Sequence, residues 1–411
     1  MIRDAIVLAD PGEIALRKVA GVPLVKRALL VLARAGVMRA YVVGDAAIAG
    51  AIADDRDLAA TGLAIEVCPP SDLAHVRDQL AGPCLLARAD HVFDVTIAKL
   101  GAATTLTGER TSLVAATGEE VGLSVIAPSA VSAAVPPATA TIFVPADAVW
   151  HRAETPALLR AAEDVLFDSL RKRTDGPVSR HLNRPMSLFV TRRLVRTNIT
   201  PNQMTIVANL IGALGVILVF QGTWTTLAIG ALLVHAQSVL DGCDGEIARL
   251  KFRSSRLGEW LDNVLDDQVN IGYGIGLGFA ATALTGQDVW RWIGLAGGIA
   301  FFLHNLAFYA QLAFVHRSGN PFLFRWWFEK PGVDVTAMLA APTLGSRLGA
   351  AARSLIRRDL FLFAFLLLCL VHLPQIAALW YGAVAASQFI VMGLHLLHGG
   401  APAASRAAAA R

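Results

Sequence analysis

Long apolar runs in the second half of the chain constrain its fold more than any other feature of the sequence. Residues 1–198 mix charged and apolar residues as a soluble domain does, whereas residues 199–398 are mostly hydrophobic. A helix needs about 20 predominantly apolar residues to cross a bilayer. Six segments approach this length, near 203–220, 223–241, 257–284, 289–315, 358–374 and 376–397. We therefore expect residues 199–398 to form an all-α integral membrane domain of six helices in a lipid bilayer.

Composition supports this division and excludes several other classes. Of the 411 residues, 55% are hydrophobic, which is high for a soluble protein of this length. The net charge of +4 comes with arginines beside the hydrophobic segments, which favours contact with anionic lipid over nucleic acid. The four cysteines form no CxxC pair, so neither a disulfide framework nor a zinc site is expected. The N-terminus, MIRDAIVLAD, lacks the pattern of a signal peptide.

The basic residues also predict an orientation in the membrane. With the N-terminus in the cytoplasm, the opposite-side turns near 221–223, 285–288 and 374–376 hold no Lys or Arg. The cytoplasmic connections are then the stretch before 203, a loop over 242–256, a loop over 316–357 and the tail. They hold Arg192, Arg193, Arg196, Arg249, Lys251, Arg253, Arg256, Arg317, Arg325, Lys330, Arg353, Arg357 and Arg358. Cytoplasmic loops of membrane proteins are enriched in these residue types. We expect a multi-pass protein of the inner (cytoplasmic) membrane, with residues 1–198 on the cytoplasmic side.

Residues 1–150 alternate short apolar runs with a helical pattern. The runs IVLAD, AYVVGD and PCLLARAD each end in an acidic residue, and VPLVKRALLVLARAG between the first two has helical spacing. Strands alternating with helices are typical of a largely parallel sheet. We therefore predict an α/β, Rossmann-like cytoplasmic domain over residues 1–150.

Residues 151–198 are predicted to be a linker that ends in a short amphipathic helix. The stretch 178–196 mixes Leu182 and Phe189 with Arg184 and Arg192, as an interfacial helix does. A soluble linker helix is the alternative, and Pro185 weakens one continuous helix in either case. The Ala-rich residues 399–411 are expected to be a disordered tail.

Four carboxylates stand out in the apolar half: Asp241, Asp244, Asp262 and Asp266. Helical spacing places the first two on one face of a helix and the last two on one face of the next. Each carboxylate at mid-bilayer costs about 2.5–3.5 kcal/mol, so the cluster needs a cation. Hard oxygen ligands suit magnesium or manganese. The alternative is a set of helix-end carboxylates paired with neighbouring arginines.

Glycine and arginine residues flank these carboxylates at set intervals. Gly245 and Gly258 remove side chains where a ligand would approach the helix backbone. Arg249 supplies a planar cation suited to phosphate. The segment from Asp241 to Asp266 therefore has the composition of an active site for a phosphorylated substrate.

The spacing of these residues resembles the signature of the CDP-alcohol phosphotransferase family, DxxDGxxARx8GxxxDxxxD. Every position of that signature is matched, and TPNQMT (200–205) at the start of the first span is also similar to the family. The resemblance covers about 178–398. It implies a six-helix membrane domain, usually a homodimer, that moves a phosphoalcohol from a CDP-linked donor to an acceptor hydroxyl and releases CMP.

Roles for individual residues follow from this resemblance. Asp266 is the implied general base on the acceptor hydroxyl and also completes metal binding. Two divalent ions, Mg²⁺ or Mn²⁺, are implied to be bound by Asp241, Asp244, Asp262 and Asp266. Contact with the CDP moiety is implied for Gly245, Ala248, Arg249 and Gly258.

The first domain resembles sugar-phosphate nucleotidyltransferases, and most of all inositol-phosphate cytidylyltransferases. The resemblance rests on KVAGVPLVKRALLVLARAG, AYVVGD and LLARADHVFD, and it implies a substrate-contacting Lys18 and a metal-binding Asp90. The family's glycine-rich phosphate loop is replaced by DPGEIA (10–15), which has too few glycines to direct backbone N–H groups at a triphosphate. We expect a degenerate, non-catalytic domain; residual cytidylyltransferase activity is the alternative, and Asp90 alone is also compatible with a strand-end turn.

The signature leaves the substrates open. CDP-diacylglycerol would indicate phospholipid synthesis, and CDP-inositol would indicate an inositol phosphodiester or an inositol lipid. An acceptor that carries phosphate could be held by Arg192, Arg193, Arg357 and Arg358, although positive-inside anchoring explains the same arginines. His304, Asn305 and Gln311 would line a cavity or form helix–helix hydrogen bonds.

Other classes of function remain open from sequence alone. A bifunctional inositol-phosphate cytidylyltransferase and CDP-inositol phosphotransferase is one alternative. The others are an ion-coupled transporter, which would not need the Ala–Arg pair, and a membrane-anchored cytidylyltransferase.

Overall fold

The computed structural model of the protein describes residues 1–132, 134–171, 175–324, 326–327 and 357–399. The first of its two compact units comprises Met1–Lys172 together with the short segments Val195–Thr197 and Leu250–Arg253. The second comprises Arg173–Leu194, Asn198–Arg249 and Ser254–Arg411. Apart from Gly399, the predicted tail lies outside the described residues, as do Arg325, Lys330 and Arg353 of the predicted cytoplasmic connections.

A seven-stranded sheet forms the centre of the first unit. Its strands are β1 Asp4–Leu8, β2 Arg39–Val43, β3 Ala64–Cys68, β4 Cys84–Arg88, β5 Arg110–Val114, β6 Glu120–Ile126 and β7 Ala140–Phe143. In space they are ordered β7-β5-β6-β4-β1-β2-β3. Strands β3, β2, β1 and β4 run parallel, β7 is parallel to β5, and β6 is antiparallel to both β4 and β5. The predicted α/β domain with a largely parallel sheet is confirmed.

Both faces of this sheet are buried, as a parallel sheet requires. Ala5 and Val7 of β1 pack into one hydrophobic cluster and Ile6 packs into another, so successive side chains point to opposite faces. The main helices are α1 Leu24–Arg34, α2 Ala46–Ile52, α3 Leu73–Gln79, α4 Val95–Ala103 and α5 Pro156–Asp168. Shorter elements are the helical turns Gly12–Ala15, Arg56–Ala59, Pro70–Asp72 and Pro128–Ala130 and the strand pairs Lys18–Val19 with Val22–Pro23 and His91–Phe93 with Trp150–Arg152.

The second unit is helical in its described residues. Its helices are α6 Arg184–Leu194, α7 Pro201–Phe220, α8 Trp224–Leu250, α9 Arg256–Thr285, α10 Val289–Ala310, α11 Arg358–Leu370 and α12 Pro374–Leu397. Ser179–Asn183 and Gln311–His316 are π-helical, and Pro321–Leu323 is a short 3-10 helix. Thr200 and Gln203 form a reciprocal capping box at the start of α7, which accounts for part of the TPNQMT motif.

Helices are present at all six positions where spans were predicted, but they are not equivalent. By length and composition, four described helices are suited to cross a membrane: Pro201–Phe220, Trp224–Leu250, Val289–His316 and Pro374–Leu397. The α9 helix has 30 residues but carries acidic groups in its first half, and α11 has only 13. At 1.5 Å per residue, α11 reaches about 20 Å of the roughly 30 Å hydrocarbon core. These features indicate a membrane protein, while the number of spans stays a prediction.

The second span was expected to end near residue 241 and to be followed by a loop over 242–256. That boundary is wrong, because α8 continues to Leu250 and the connection is only 251–255. The drop in hydrophobicity after Asp241 does not break the helix, since Glu, Ala, Arg and Leu in this stretch are good helix formers. Ser255 then caps α9 by accepting a hydrogen bond from the Gly258 N–H at 3.0 Å. Both halves of the acidic signature therefore lie on helices.

Glycines allow α9 and α10 to pack closely. A Cβ atom on Gly278 would lie 2.6 Å from the Trp290 carbonyl oxygen and 2.9 Å from the Gly294 Cα. A Cβ on Gly294 would lie 3.0 Å from the Gly278 Cα. Small residues at such crossings let helix backbones approach, which is how membrane helices gain packing energy.

We expect Gly278→Ala to lower the thermal stability of the detergent-solubilised protein. Overpacking of this kind costs about 1–3 kcal/mol, and the higher helix propensity of Ala returns only about 1 kcal/mol. The matched control is Gly393→Ala on α12, where an added Cβ meets no atom within 4 Å. A midpoint for Gly278→Ala equal to that of Gly393→Ala would contradict the close packing.

Candidate active site

Three of the four predicted carboxylates converge between α8 and α9. Asp241 and Asp244 from α8 and Asp262 from α9 each place a carboxylate oxygen within 4.8 Å of the others. The Oδ1 atoms of Asp241 and Asp262 are buried and have no hydrogen-bond partner among the described residues. Buried polar atoms are nearly always paired, so these oxygens are suited to a cationic ligand. The residues present therefore fit a divalent metal with oxygen ligands.

The α7 helix orients one of these carboxylates. The Thr205 hydroxyl donates to Asp244 Oδ2, and the Gly245 N–H donates to Asp244 Oδ1. The position of Thr205 at the end of TPNQMT matched the family, but the sequence alone did not assign its contact with Asp244. The hydroxyl explains why a polar residue stands at this point of an apolar helix.

Asp266 lies beside the cluster and has two partners of its own. Gln237 Nε2 donates to Asp266 Oδ1 at 2.7 Å, and Arg358 donates to Asp266 Oδ2. The Arg358 guanidinium also lies 3.5 Å from Asp241 Oδ2 and donates to Gln237 Oε1 at 3.3 Å. Arg358 was predicted as an acceptor-binding residue, and the structure places it directly on the acidic cluster. Gln237 was not predicted, because an isolated glutamine in an apolar run has no distinctive signal.

Three of the residues predicted to contact the CDP moiety lie on α8, and the fourth, Gly258, lies on α9. A Cβ on Gly245 would meet no atom within 4 Å, so space lies beside the backbone next to Asp244. Gly258 packs tightly instead, since its Cβ would lie 2.8 Å from Asn202 Oδ1. Ala248 is half-buried, and Arg249 donates from Nε to the Gly245 carbonyl at 3.0 Å. Arg249 is exposed, whereas Gly245, Ala248 and Gly258 are half-buried.

A polar cavity of about 340 Å³ opens beside Asp241. Its walls come from residues 175–187, which lead into α6, from α8 and from the start of α11. The lining residues are Asp175, Ser179, Asn183, Arg184, Ser187, Ser238, Val239, Asp241, Gly242, Arg357, Arg358 and Asp359. The cavity thus has basic and acidic groups side by side, and Asn183 Oδ1 in its wall is buried with no partner among the described residues.

The four arginines predicted for acceptor binding are divided by the structure. Arg357 and Arg358 line the cavity. Arg192 and Arg193 on α6 are not among its lining residues, and Arg193 donates to the Phe189 carbonyl of its own helix at 2.8 Å. The reason is helical geometry, because the α6 face that carries Arg184 and Ser187 is the one that meets the cavity.

One polar group predicted deep in α10 makes a helix–helix contact. The His304 ring nitrogen Nδ1 is 3.0 Å from the Gln388 carbonyl oxygen of α12. Asn305 is buried beside it, and Gln311 begins the wide turn that ends this helix. Of the two alternatives, the hydrogen bond between helices is the one seen for His304.

A second acidic cluster lies in the first unit. Asp90, His91 and Glu154 bring possible metal ligands within 4.8 Å of one another. Arg88 binds the Asp90 carboxylate through Nε at 3.0 Å and Nη2 at 2.5 Å, and His91 Nδ1 lies 2.7 Å from Asp90 Oδ1. Burial alone would raise the pKa of Asp90, but the hydrogen bonds from His91 and Arg88 outweigh it and hold the pKa well below its usual value. Lys18, the other predicted residue, is exposed on a two-residue strand.

These geometries can be compared with known proteins. Residues 198–345 match the family model described as CDP-alcohol phosphatidyltransferase. The matched region contains α7 to α10 and therefore all four carboxylates. The chain thus contains a CDP-alcohol phosphatidyltransferase domain.

Curated relatives share part of the chain. The "Bifunctional IPC transferase and DIPP synthase" of Thermococcus kodakarensis is 37% identical over 147 residues, which cover 36% of this chain and 32% of the relative. The protein of the same name from Aquifex aeolicus is 35% identical over 125 residues, covering 30% and 28%. The chain therefore spans about a third or less of the length of the curated relatives it matches.

A solved structure is similar to a part of the chain. The inositol-1-phosphate CTP transferase from T. maritima is 14% identical, and the match covers 42% of this chain and 98% of that one with a TM-score of 0.31. A TM-score this low does not assign a fold family to the first unit.

We expect Arg358→Met to destabilise the metal-free protein, because Asp241 and Asp266 would lose the cation they share. Breaking a buried pair costs roughly 3–5 kcal/mol, and the lower end applies because the Arg358 side chain is 30% exposed. The thermal midpoint in detergent with EDTA should fall by about 6–12 °C. Arg193→Met is the control, because Arg193 lies outside the cluster. Equal midpoints for the two variants would show that Arg358 does not stabilise the carboxylates.

Proposed function

We propose that this protein is a membrane-bound CDP-alcohol phosphotransferase, a transferase of substituted phosphate groups. It would move a phosphoalcohol from a CDP-linked donor to an acceptor hydroxyl and release CMP. The observation that supports this proposal most directly is the convergence of Asp241, Asp244 and Asp262, where two buried carboxylate oxygens have no hydrogen-bond partner within the described part of the chain. The family match over residues 198–345 supports the same reaction class.

Two divalent ions, Mg²⁺ or Mn²⁺, are proposed at this cluster. Asp241, Asp244 and Asp262 would hold them, with Asp266 completing the set. Bound there, the ions would neutralise charge on the donor diphosphate and on the leaving CMP. Thr205 and the Gly245 N–H would keep Asp244 in the orientation seen in the structure.

Asp266 is proposed as the general base. A base must lie within hydrogen-bond reach of the proton it accepts. The Gln237 amide occupies Oδ1, and Arg358 occupies Oδ2. An acceptor hydroxyl would therefore approach Oδ2 as Arg358 turns to an anionic group of the same acceptor. The polar cavity beside Asp241, with Arg357 and Arg358 in its wall, is proposed as the acceptor site.

The nucleotide is proposed to lie along the open edge of α8. Gly245 leaves space beside Asp244, and Ala248 and Arg249 follow on the same helix. Gly258 would allow the start of α9 to lie close to the nucleotide. Arg249 would exchange its contact with the Gly245 carbonyl for the donor.

The donor and the location are proposed on sequence grounds. The resemblance of the first unit to inositol-phosphate cytidylyltransferases favours CDP-inositol over CDP-diacylglycerol. The distribution of Arg and Lys favours the inner membrane, with the active site and the first unit facing the cytoplasm. A homodimer is proposed from the resemblance to the family.

Purified protein should release CMP from CDP-inositol or CDP-diacylglycerol only when Mg²⁺ or Mn²⁺ is present. Asp266→Asn should lower the rate by at least 100-fold, because general-base catalysis contributes about 10²–10⁴. Release is measured by chromatography of CMP, and the product is identified by mass with a panel of phosphorylated and lipid acceptors.

Asp288→Asn is the matched control, since it makes the same chemical change at an exposed position at the start of α10. Metal-independent turnover, or an Asp266→Asn variant as active as Asp288→Asn, would exclude the assignment.

For the first unit we propose a non-catalytic role. The replaced phosphate loop DPGEIA is one reason. The other is that Arg88 already neutralises Asp90, the residue that the resemblance assigns to metal. A bifunctional enzyme is the second candidate, and the convergence of Asp90, His91 and Glu154 is the observation that favours it.

We expect the chain of residues 1–411 to form no CDP-inositol from CTP and inositol phosphate. Arg88→Ala would remove one of the two side chains that bind the Asp90 carboxylate, leaving His91 in place. It would also leave the phosphate loop unchanged, so that variant should also be inactive. The reaction is followed by mass spectrometry with Mg²⁺ present. Formation of CDP-inositol by the wild-type chain would establish the bifunctional alternative.

A further inference from the structure

The signature helix α8 carries a buried acidic residue that the proposed chemistry does not use. Glu246 is 0% exposed, although it lies inside the signature segment between Gly245 and Ala248. Its position two residues after Asp244 turns its side chain by about 200° around the helix axis. Asp244 therefore points to the acidic cluster while Glu246 points to the opposite side of α8.

Three side chains on one face of α6 donate to this carboxylate. The Arg184 Nη1 and Ser187 Oγ atoms both lie 2.6 Å from Glu246 Oε1, and Thr191 Oγ1 lies 2.6 Å from Oε2. Positions 184, 187 and 191 follow helical spacing, so a single face of α6 makes all three bonds. Both oxygens of this buried carboxylate therefore have donors, and all three donors come from α6.

The network continues into the wall of the polar cavity. Arg184 binds Asp175 with two further hydrogen bonds, each 3.0 Å long. Asp175, Arg184 and Ser187 all line the cavity, whereas Glu246 and Thr191 are not among its lining residues. Near the start of α11, the Ser179 N–H donates to Asp359 Oδ2 at 3.0 Å. The segment 175–187 is thus held at α6 by Glu246 and at α11 by Asp359.

We infer that Glu246 is a positioning residue that holds α6 in place as one wall of the acceptor site. It acts through Arg184 and Ser187 and touches neither the acidic cluster nor the proposed base, Asp266. This inference rests on the proposed function for its kinetic consequence, since the cavity is proposed to bind the acceptor. The location of the wall, by contrast, can be tested without any activity.

The kinetic test compares the KM for the acceptor with the KM for the donor in the whole chain. Glu246→Gln removes the charge that binds Arg184 and should raise the acceptor KM about 10-fold, with the donor KM changed less than twofold. Thr191→Val removes one bond to Glu246 without altering a cavity residue and should raise the acceptor KM about threefold. Asp288→Asn is the acid-to-amide control and should leave both constants unchanged. Equal changes in both KM values, or a loss of kcat alone, would overturn the inference.

The structural test uses cysteine labelling and needs no substrate. Asn183 is buried in the cavity wall directly before α6, so Asn183→Cys reports on the start of that helix. The native cysteines Cys68, Cys84, Cys243 and Cys369 are all buried, but Cys243 contacts the Ser187 carbonyl, so each rate is corrected with the same variant that lacks Asn183→Cys. Maleimide labelling of Asn183→Cys in the detergent-solubilised protein should become at least fivefold faster when Glu246→Gln or Thr191→Val is added.

Unchanged labelling in both double variants would overturn the inference whatever the enzyme's activity. If labelling is faster in the double variants but the wild-type chain releases no CMP, the proposed function is excluded and the positioning role of Glu246 stands. The two proposals therefore fail separately.

Discussion

Repulsion among the carboxylates that α8 and α9 present to one another is the constraint on which the second unit depends. Like charges at this distance cannot all remain ionised without cations between them. The fold therefore brings compensating groups to the cluster: Thr205 from α7, Gln237 from α8 itself and Arg358 from α11. Helices far apart in sequence are held around one cluster of charge.

The α8 helix satisfies polar groups on two opposite sides. On one side Asp241 and Asp244 face α9, and on the other Glu246 accepts three hydrogen bonds from α6. A helix with buried carboxylates on both sides has little freedom to rotate, because any rotation would leave one set unpaired. The same helix therefore connects the proposed chemistry with the wall of the proposed acceptor site.

Much of this arrangement was predictable from local patterns. The runs that form β1, β2 and β4 and the helix α1 were recognised because strand and helix periods are local properties. The boundary of α8 was missed because falling hydrophobicity after Asp241 was interpreted as a loop, although the residues there are helix formers. Partners such as Gln237 and Arg358 were not recognisable as a pair, since 121 positions separate them.

The sequence by itself determined the class of each half, the four carboxylates and the reaction class they indicate, because spacing along a helix decides which side chains share a face. Tertiary structure alone decided which cations and donors meet those carboxylates. In the structure Arg358 contacts the acidic cluster, and Arg192 and Arg193 do not line the cavity. Glu246 accepts hydrogen bonds from α6. These contacts depend on how helices pack against one another, and packing joins residues whose distance along the chain carries no local signal.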